Sequence, residues 1–241
     1  MRNRLDHAQR TARNEEKTRL VLRFLREETW THIDVIQKLL NIKTRSPVHT
    51  FLRKLEAQNL IKSDFLTVAY GRDIQLWGIT SHGLAHSFDD DEQYQERPTF
   101  SVKKVTQSTM QHKLDLQYVR VLCEKKGFLN WRDGSRLGLR KSGFKVPDAL
   151  VDMNGQTVAI EVERTIKTAK RYADIIASHL RAARDGHWAK VIYLCPDEKV
   201  KKQLMKVFFS VKELKFEGQV FQLTDAHYQK FSFYTYMDLE V

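Results

Sequence analysis

The sequence predicts an α+β protein with two domains: a small, mostly helical domain, and then an α/β domain with a mixed central sheet flanked by helices. Apolar residues recur at helical spacing between Leu20 and Leu55. Two apolar runs with alternating pattern flank Asn154-Gly155 and predict a β-hairpin. A short acidic stretch separates two basic parts of the chain. The length of 241 residues allows one or two domains at roughly 150 residues each.

The composition excludes several classes of protein. Lys and Arg number 41 against 30 Asp and Glu, so the net charge is +11, which favours a polyanionic partner, most simply nucleic acid. No apolar run approaches the roughly 18 residues of a membrane span, so no membrane partner is expected. The charged stretch from Met1 to Arg19 lacks the apolar core of a signal peptide. Two cysteines are too few for a disulfide framework. Together, these observations predict a cytoplasmic protein.

The charge distribution predicts the domain boundaries. Residues 1–88 carry 15 Lys and Arg against 9 Asp and Glu, residues 89–100 carry 1 against 5, and residues 101–241 carry 25 against 16. We interpret residues 89–100, which begin with Asp89-Asp90-Asp91-Glu92, as an exposed acidic linker between two basic domains. The alternative is a loop within one domain.

Residues 1–88 show the order helix, helix, helix, two strands, helix. The first helix runs from near Asn14 to Glu28, Thr31 caps the second, and Asn41 ends it. Ser46 is predicted as the N-cap of the third helix and Pro47 as its first residue. Two strands, Leu60–Ala69 and Asp73–Ile79, follow around a turn at Tyr70-Gly71-Arg72. Thr80 then caps the last helix.

This order, with Leu60-Ile61-Lys62, then Leu76-Trp77-Gly78-Ile79-Thr80 and Gly83, resembles the winged helix-turn-helix family. The resemblance implies that the third helix enters the major groove of double-stranded DNA, so that Lys43 and Arg45 meet phosphates and Arg72 lies at the wing tip. The implied DNA-binding residues are Lys43, Arg45, Ser46, His49, Thr50, Arg53 and Arg72. An ordinary solvated helix face and a protein-docking module are the alternatives.

The second domain begins with a helix from Ser108 or Thr109 to Lys126. A basic loop follows, with Arg132, Arg136, Arg140, Lys141 and Lys145. A long helix to about Arg184 comes after the hairpin, and Asp197 caps a later basic helix. The predicted strands of the mixed sheet are Phe128–Trp131, Pro147–Met153, Gln156–Glu163, Val191–Cys195 and Gln219–Leu223.

The hairpin carries the informative acids. With Asn154-Gly155 as the turn, Met153 pairs with Gln156 and Asp148 lies opposite Glu161. Alternation places these acids and Glu163 on one face, and we expect only the other, apolar face to be buried. Opposed like charges are destabilising, so either a divalent cation bridges them or their pKa values rise. Oxygen ligands favour Mg²⁺ or Mn²⁺. The alternative is a solvent-facing hairpin with scattered acids.

Pro147-Asp148, followed by Glu161-Val162-Glu163, resembles the PD-(D/E)xK nuclease motif in the variant with Glu in place of the final Lys. The resemblance implies a restriction-endonuclease-like fold. It also implies that Asp148 and Glu161 are metal ligands, with the Val162 carbonyl as a third. Glu163 becomes a general base or further ligand, and Lys167 or Lys170 supplies the missing positive charge.

A winged helix ahead of this domain is similar to the replication-relaxation family and to MobC-class plasmid mobilisation relaxases. The resemblance implies metal-dependent nicking of DNA at a plasmid transfer origin, within a relaxosome of accessory and coupling proteins. The non-enzymatic alternative is a DNA-binding initiator or relaxosome regulator with a degenerate nuclease domain. A Tyr-dependent relaxase is disfavoured because the usual His-x-His cluster is absent, and Cys123 and Cys195 are expected to be core residues.

Overall fold

The computed structural model describes residues 6–68, 71–138, 145–216 and 219–240. The chain forms two compact units, Met1–Tyr118 and Val119–Val241. Helices combine with a mixed five-stranded sheet and two smaller antiparallel sheets, which confirms the predicted α+β class. Within the described ranges, no helix combines the length and apolar character needed to cross a membrane.

The first unit contains helices around a three-stranded antiparallel sheet of order β1-β3-β2. Its elements are α1 (His7–Glu28), β1 (Trp30–Thr31), α2 (Ile33–Leu39), α3 (Arg45–Ala57), β2 (Ile61–Leu66), β3 (Ile74–Ile79), α4 (Ser81–Ala85) and the start of α5 (Gln107–Lys125), which continues into the second unit.

Helix α1 begins earlier than the predicted start near Asn14. Asp6 is the N-cap: its side chain accepts a hydrogen bond from the N–H of Gln9, whose own side chain accepts from the N–H of Asp6. This capping box stabilises the first half of α1, which has no apolar face. The apolar periodicity, which begins near Leu20, could not indicate this exposed extension.

Thr31 is not a helix cap. It lies in β1, opposite Trp77 of β3, and its buried hydroxyl donates to the side-chain oxygen of Gln117 at 2.7 Å. The N-cap of α2 is His32, whose Nδ1 accepts from the N–H of Asp34 at 3.3 Å. The two-residue strand β1 depends on contacts distant in sequence, and no local pattern predicted it.

His32 gives the first unit a testable pH dependence. Burial lowers the pKa of His32 below its usual range, and protonation of Nδ1 would also remove the cap. The unfolded chain therefore binds a proton more readily than the folded one, so the free energy of unfolding should fall as the pH drops below about 6.5. We expect His32→Asn, which keeps a good cap without titrating, to abolish this part of the pH dependence in urea unfolding. An unchanged pH profile in the variant would contradict the assignment.

Helix α3 starts one residue before the predicted cap. Its N-cap is Thr44, and Ser46 and Pro47 lie within the first turn. The buried face of α3 consists of Val48, Leu52 and Leu55. The helix is thus fixed by its apolar stripe, since Thr44 makes no side-chain capping hydrogen bond.

The two predicted strands after α3 are confirmed as β2 and β3, paired from Ile61–Ile79 to Leu66–Ile74. Ala69, the last residue of the first predicted strand, and Tyr70 of the predicted turn lie outside the described residues. Gly71 has a φ of 117°, which favours glycine. Thr80 caps α4 as predicted, since its hydroxyl oxygen accepts from the N–H of Gly83.

The acidic stretch after α4 makes specific contacts within the first unit. The guanidinium of Arg26 donates to Glu92 at 2.9 Å and to the carbonyl of Ser87 at 3.0 Å. Further on, the N–H of Phe100 donates to the carbonyl of Ile79, and the buried Phe100 ring covers Gly78.

The second unit is built on a mixed sheet of order β10-β7-β6-β5-β4. Strands β10, β7 and β6 are parallel neighbours, and β6, β5 and β4 are antiparallel. The elements are β4 (Leu129–Asp133), β5 (Ala149–Met153), β6 (Gln156–Val162), α6 (Ala169–Arg184), β7 (Lys190–Cys195), α7 (Glu198–Phe208), β8 (Glu213–Phe216), β9 (Gln219–Gln222), α8 (Asp225–Tyr228) and β10 (Phe231–Thr235).

Two sheet predictions are wrong. The predicted strand Gln219–Leu223 does not join the main sheet: β9 pairs with β8 in a separate two-stranded sheet, and β10 takes the edge position beside β7. The hairpin is also buried on both faces, because Leu150 and Ala159 join a core with Tyr172 and Ile176 of α6. Strand β6 lies between two neighbours in a sheet with helical cover, so both faces are removed from water.

Candidate active site and candidate nucleic-acid surface

The three predicted acids of the second unit lie where β5 begins and β6 ends. The Asn154-Gly155 turn is confirmed, with positive φ at both residues, and Met153 pairs with Gln156. The ladder ends at the Ala149–Ile160 pair, so Asp148 lies just before β5, while Glu161 lies in β6 and Glu163 just after it.

Asp148 is held by the backbone of its neighbours. Its Oδ2 accepts a hydrogen bond from the N–H of Val162 at 2.8 Å, and its carbonyl accepts from the N–H of Gly134 at 2.9 Å. The nuclease motif implies that the carbonyl of Val162 is a third metal ligand. In the structure, the N–H of Val162 is the group that contacts Asp148. These two bonds fix the position of the Asp148 carboxylate relative to the end of β6.

Glu161 is buried, with 6% of its surface exposed. Its Oε1 contacts Nζ of Lys145 and lies 3.1 Å from Nε2 of His179. Burial raises the pKa of Glu161, but Lys145 and His179 outweigh burial and lower the pKa to about 2. The alternative expectation, that the pKa of the paired acids rises, is therefore wrong for Glu161. A cationic side chain from elsewhere in the fold offsets the charge of this acid.

Glu163 has a separate set of partners. Its N–H donates to the carbonyl of Leu194 on β7, and its Oε2 accepts from the hydroxyl of Tyr172 at 3.2 Å and contacts Nζ of Lys167. Burial, with Glu163 nearby, raises the pKa of the Tyr172 hydroxyl, which keeps it a hydrogen-bond donor. Of the two lysines predicted to supply positive charge, Lys167 reaches the acids, whereas Lys170 is exposed at the start of α6.

The structure thus brings together acids and lysines rather than acids alone. Within the part of the chain that is described, no three His, Cys, Asp or Glu side chains form a group that could hold a metal ion. Sequence reasoning missed His179 and Tyr172, and it assigned Lys145 only to a basic loop. Tyr172 and His179 lie on α6 and reach the acids because this helix packs on the sheet. Such packing leaves no local signal in the sequence.

The remainder of the predicted basic loop is dispersed. Arg132 pairs with Asp152 at 2.7 Å, and Arg136 is exposed at the end of a short 3-10 turn. Arg140 and Lys141 lie outside the described residues. Lys145, the last member of the loop, contacts one of the three acids, Glu161.

Gly134 allows its own segment to pack closely against the segment that carries Pro147 and Asp148. A Cβ atom at this position would lie 1.8 Å from the carbonyl oxygen of Pro147, which is backbone and cannot rotate away. We expect Gly134→Ala to lower the free energy of unfolding by about 2 kcal/mol, because the segment that carries Asp148 must shift. The exposed neighbour Arg136→Ala should change it by less than about 0.5 kcal/mol in the same urea titrations. Equal effects of the two substitutions would contradict this account.

Six of the predicted DNA-binding residues of the first unit lie on α3 or directly before it, and Arg72 lies between β2 and β3. All of them are exposed, namely Lys43, Arg45, Ser46, His49, Thr50, Arg53 and, between β2 and β3, Arg72. A pocket of about 340 Å³ beside α3 is lined by Arg45, Ser46 and His49 together with Trp77 of β3. The structure therefore gathers three of the predicted residues around one concave surface.

Two of these arginines have acidic partners. Arg45 forms a bidentate pair with Asp34, with both distances at 2.6 Å. Arg53 lies over the ring of Trp77 and donates to Oε2 of Glu56 at 2.6 Å, while Oε1 of Glu56 accepts from Ser63. Both arginine side chains are more than half exposed, so these ion pairs are weak. The positive charge of α3 is therefore partly offset in the free protein.

No family model matches the chain, and a search of curated proteins gives no significant match.

Proposed function

We propose that this protein binds double-stranded DNA through its first unit and nicks it with its second, by metal-dependent phosphodiester cleavage. The observation that carries the proposal is the position of Asp148, Glu161 and Glu163 at adjacent strand ends, where Glu161 contacts Lys145 and Glu163 contacts Lys167. Carboxylates beside lysines at one end of a sheet match what cleavage of a phosphodiester requires, which is metal ligands and cations that offset negative charge.

The donor atoms fit Mg²⁺ or Mn²⁺ better than a metal that needs a full protein cage. Mg²⁺ commonly takes one or two carboxylates and keeps several waters, so a group of three protein ligands is not required. In this proposal Asp148 and Glu161 hold the metal, and Oε2 of Glu161 makes no hydrogen bond or ion pair with the described residues. A bound metal would polarise the phosphoryl oxygen and lower the pKa of water.

The remaining groups of the site have separate tasks in this proposal. Lys167, whose side chain is 38% exposed, is accessible to a DNA phosphate and offsets the charge that develops on it. Glu163 serves as a proton acceptor or further ligand, and the Tyr172 hydroxyl orients it. The order of elements in the second unit supports a restriction-endonuclease-like fold as part of the same proposal.

For the first unit we propose a winged helix in which α3 enters the major groove. The exposed polar face of α3 and the β2–β3 hairpin support this assignment. Lys43 and Arg45 then contact phosphates, His49, Thr50 and Arg53 face base edges, and Arg72 lies at the tip of the wing. A plasmid transfer origin, with relaxosome accessory and coupling proteins, is the target that the family resemblance implies.

One observation favours a second candidate, a DNA-binding initiator or relaxosome regulator without catalysis. Each of the two glutamates already contacts a lysine, and the described residues contain no group of three metal-binding side chains. In this alternative the ion pairs serve the stability of the fold alone.

Incubation of the protein with supercoiled plasmid carrying the cognate origin separates the two candidates. With Mn²⁺ or Mg²⁺ we expect open circles to accumulate, and with EDTA we expect none. Retarded but uncut DNA under all conditions would favour the regulator and overturn the nuclease.

A further inference from the structure

We infer that His179 is a positioning residue that holds the carboxylate of Glu161 in the orientation required for the metal site. This inference rests on the proposed nuclease function. His179 lies on α6, at a position where the sequence gives no functional motif, and its Nε2 is 3.1 Å from Oε1 of Glu161.

The burial of His179 excludes a direct role at the phosphodiester. Its side chain is fully inaccessible to solvent, and its ring packs edge-on against Trp188 and Phe231, with centroids 5.6 Å and 6.3 Å away. A ring so enclosed cannot contact a DNA phosphate. It acts on the site only through Glu161.

The polar atoms of His179 are poorly satisfied, which indicates a role beyond stability. Neither ring nitrogen has a hydrogen bond of good geometry with the described residues, although both are buried. Buried polar groups without partners are costly, and an apolar side chain of similar size would avoid the cost. The approach to Glu161 is the polar contact that the structure specifies for this ring.

Lys145 completes the arrangement from the other side. Its Nζ contacts the same Oε1 of Glu161, and its backbone N–H donates to the hydroxyl of Ser178, the residue before His179. The segment that leads into the Pro147-Asp148 motif is therefore tied to α6 beside His179. Both partners engage one carboxylate oxygen, so the other is left for a ligand.

A further buried polar atom lies at the same strand pair. Tyr193 is directly opposite Glu161 in the β6–β7 ladder, and its hydroxyl is buried without a partner among the described residues. His179 thus approaches the carboxylate of Glu161, and Tyr193 lies opposite Glu161 on the neighbouring strand. This is the distribution expected of a site whose polar groups serve a bound species.

The test compares His179→Leu, His179→Gln and His187→Leu in the full chain. We expect His179→Leu to lower kcat for plasmid nicking at least about tenfold and to raise the half-saturating Mn²⁺ concentration by a similar factor, with KM for DNA unchanged. His179→Gln, which can place an amide near Oε1, should restore kcat to within a few-fold. His187, exposed after α6, provides the control and should keep wild-type kinetics.

A stability cycle separates this inference from the proposed function. The free energy of unfolding in urea is measured for His179→Leu, Glu161→Gln and the double variant. This measurement does not depend on DNA cleavage. Non-additive shifts support the contact, and additive shifts overturn it. If the wild type cuts no DNA, the nuclease proposal fails while the cycle still decides whether His179 holds Glu161. A His179→Leu variant that loses stability but keeps kcat and Mn²⁺ dependence would overturn the positioning role.

Discussion

Asp148→Asn is expected to lower the rate of plasmid nicking about a hundredfold or more, with little change in affinity for duplex DNA. The substitution removes the negative charge of a proposed metal ligand, yet the amide oxygen can still accept the hydrogen bond from the N–H of Val162. The fold should therefore persist while the metal is lost. Nicking rates from time courses on supercoiled plasmid, with binding measured by gel retardation, check both parts.

Asp152→Asn is the matched control for this experiment. Asp152 lies in β5, four residues after Asp148 and at the same phase of the alternation. Its carboxylate is occupied by Asn130, Arg132 and Thr157, away from the three acids. We expect the control to nick at the wild-type rate. Equal losses in both variants, or none in Asp148→Asn, would contradict the assignment of Asp148 as a ligand.

Arg53→Ala and Lys43→Ala are expected to weaken DNA binding in different ways. Arg53, held over Trp77 by Glu56, is proposed to face base edges, so its loss should cost about tenfold or more in affinity for the cognate site and relax sequence preference. Lys43 is proposed to contact phosphate. Its loss should weaken binding uniformly and reduce the slope of log affinity against log salt by about 0.9.

Fluorescence anisotropy with cognate and scrambled duplexes at several salt concentrations distinguishes these effects. Arg13→Ala removes the same charge from the exposed face of α1 and serves as the control. Identical changes for Arg13, Lys43 and Arg53 would show that net charge alone matters, and the proposed docking of α3 would then be wrong.

Locally encoded features were predictable from the sequence. The Asn154-Gly155 turn requires positive φ at both residues, so the hairpin and its register follow from these two residues. Thr80 as a helix cap is a similar local effect. The start of α1 was missed because its capping box lies before the apolar periodicity, and Ser46 was misassigned as a cap because Thr44 also fits that role.

Features that depend on distant contacts were not predictable. The short strand β1 exists through its pairing with β3 and the hydrogen bond from Thr31 to Gln117, residues far apart in sequence. The place of β10 in the sheet likewise depends on packing against β7 rather than on its own pattern.

The candidate site was predicted in its acids but not in their environment. The register follows the prediction as far as the Ala149–Ile160 pair, and the ladder ends one pair before the predicted Asp148–Glu161 pair. The burial of Glu161 and its contacts with Lys145 and His179 arise from the docking of α6 on the sheet, which alternation along one hairpin cannot indicate. The same docking places the Tyr172 hydroxyl against Glu163.

The most direct test of the central claim, that the acids at the ends of β5 and β6 hold a divalent metal, is a calorimetric titration of Mn²⁺ into the full chain. We predict saturable binding by the wild type and by Asp152→Asn, and binding at least about tenfold weaker for Asp148→Asn. Mn²⁺ affinities that are the same for all three proteins, or no binding by the wild type, would contradict it.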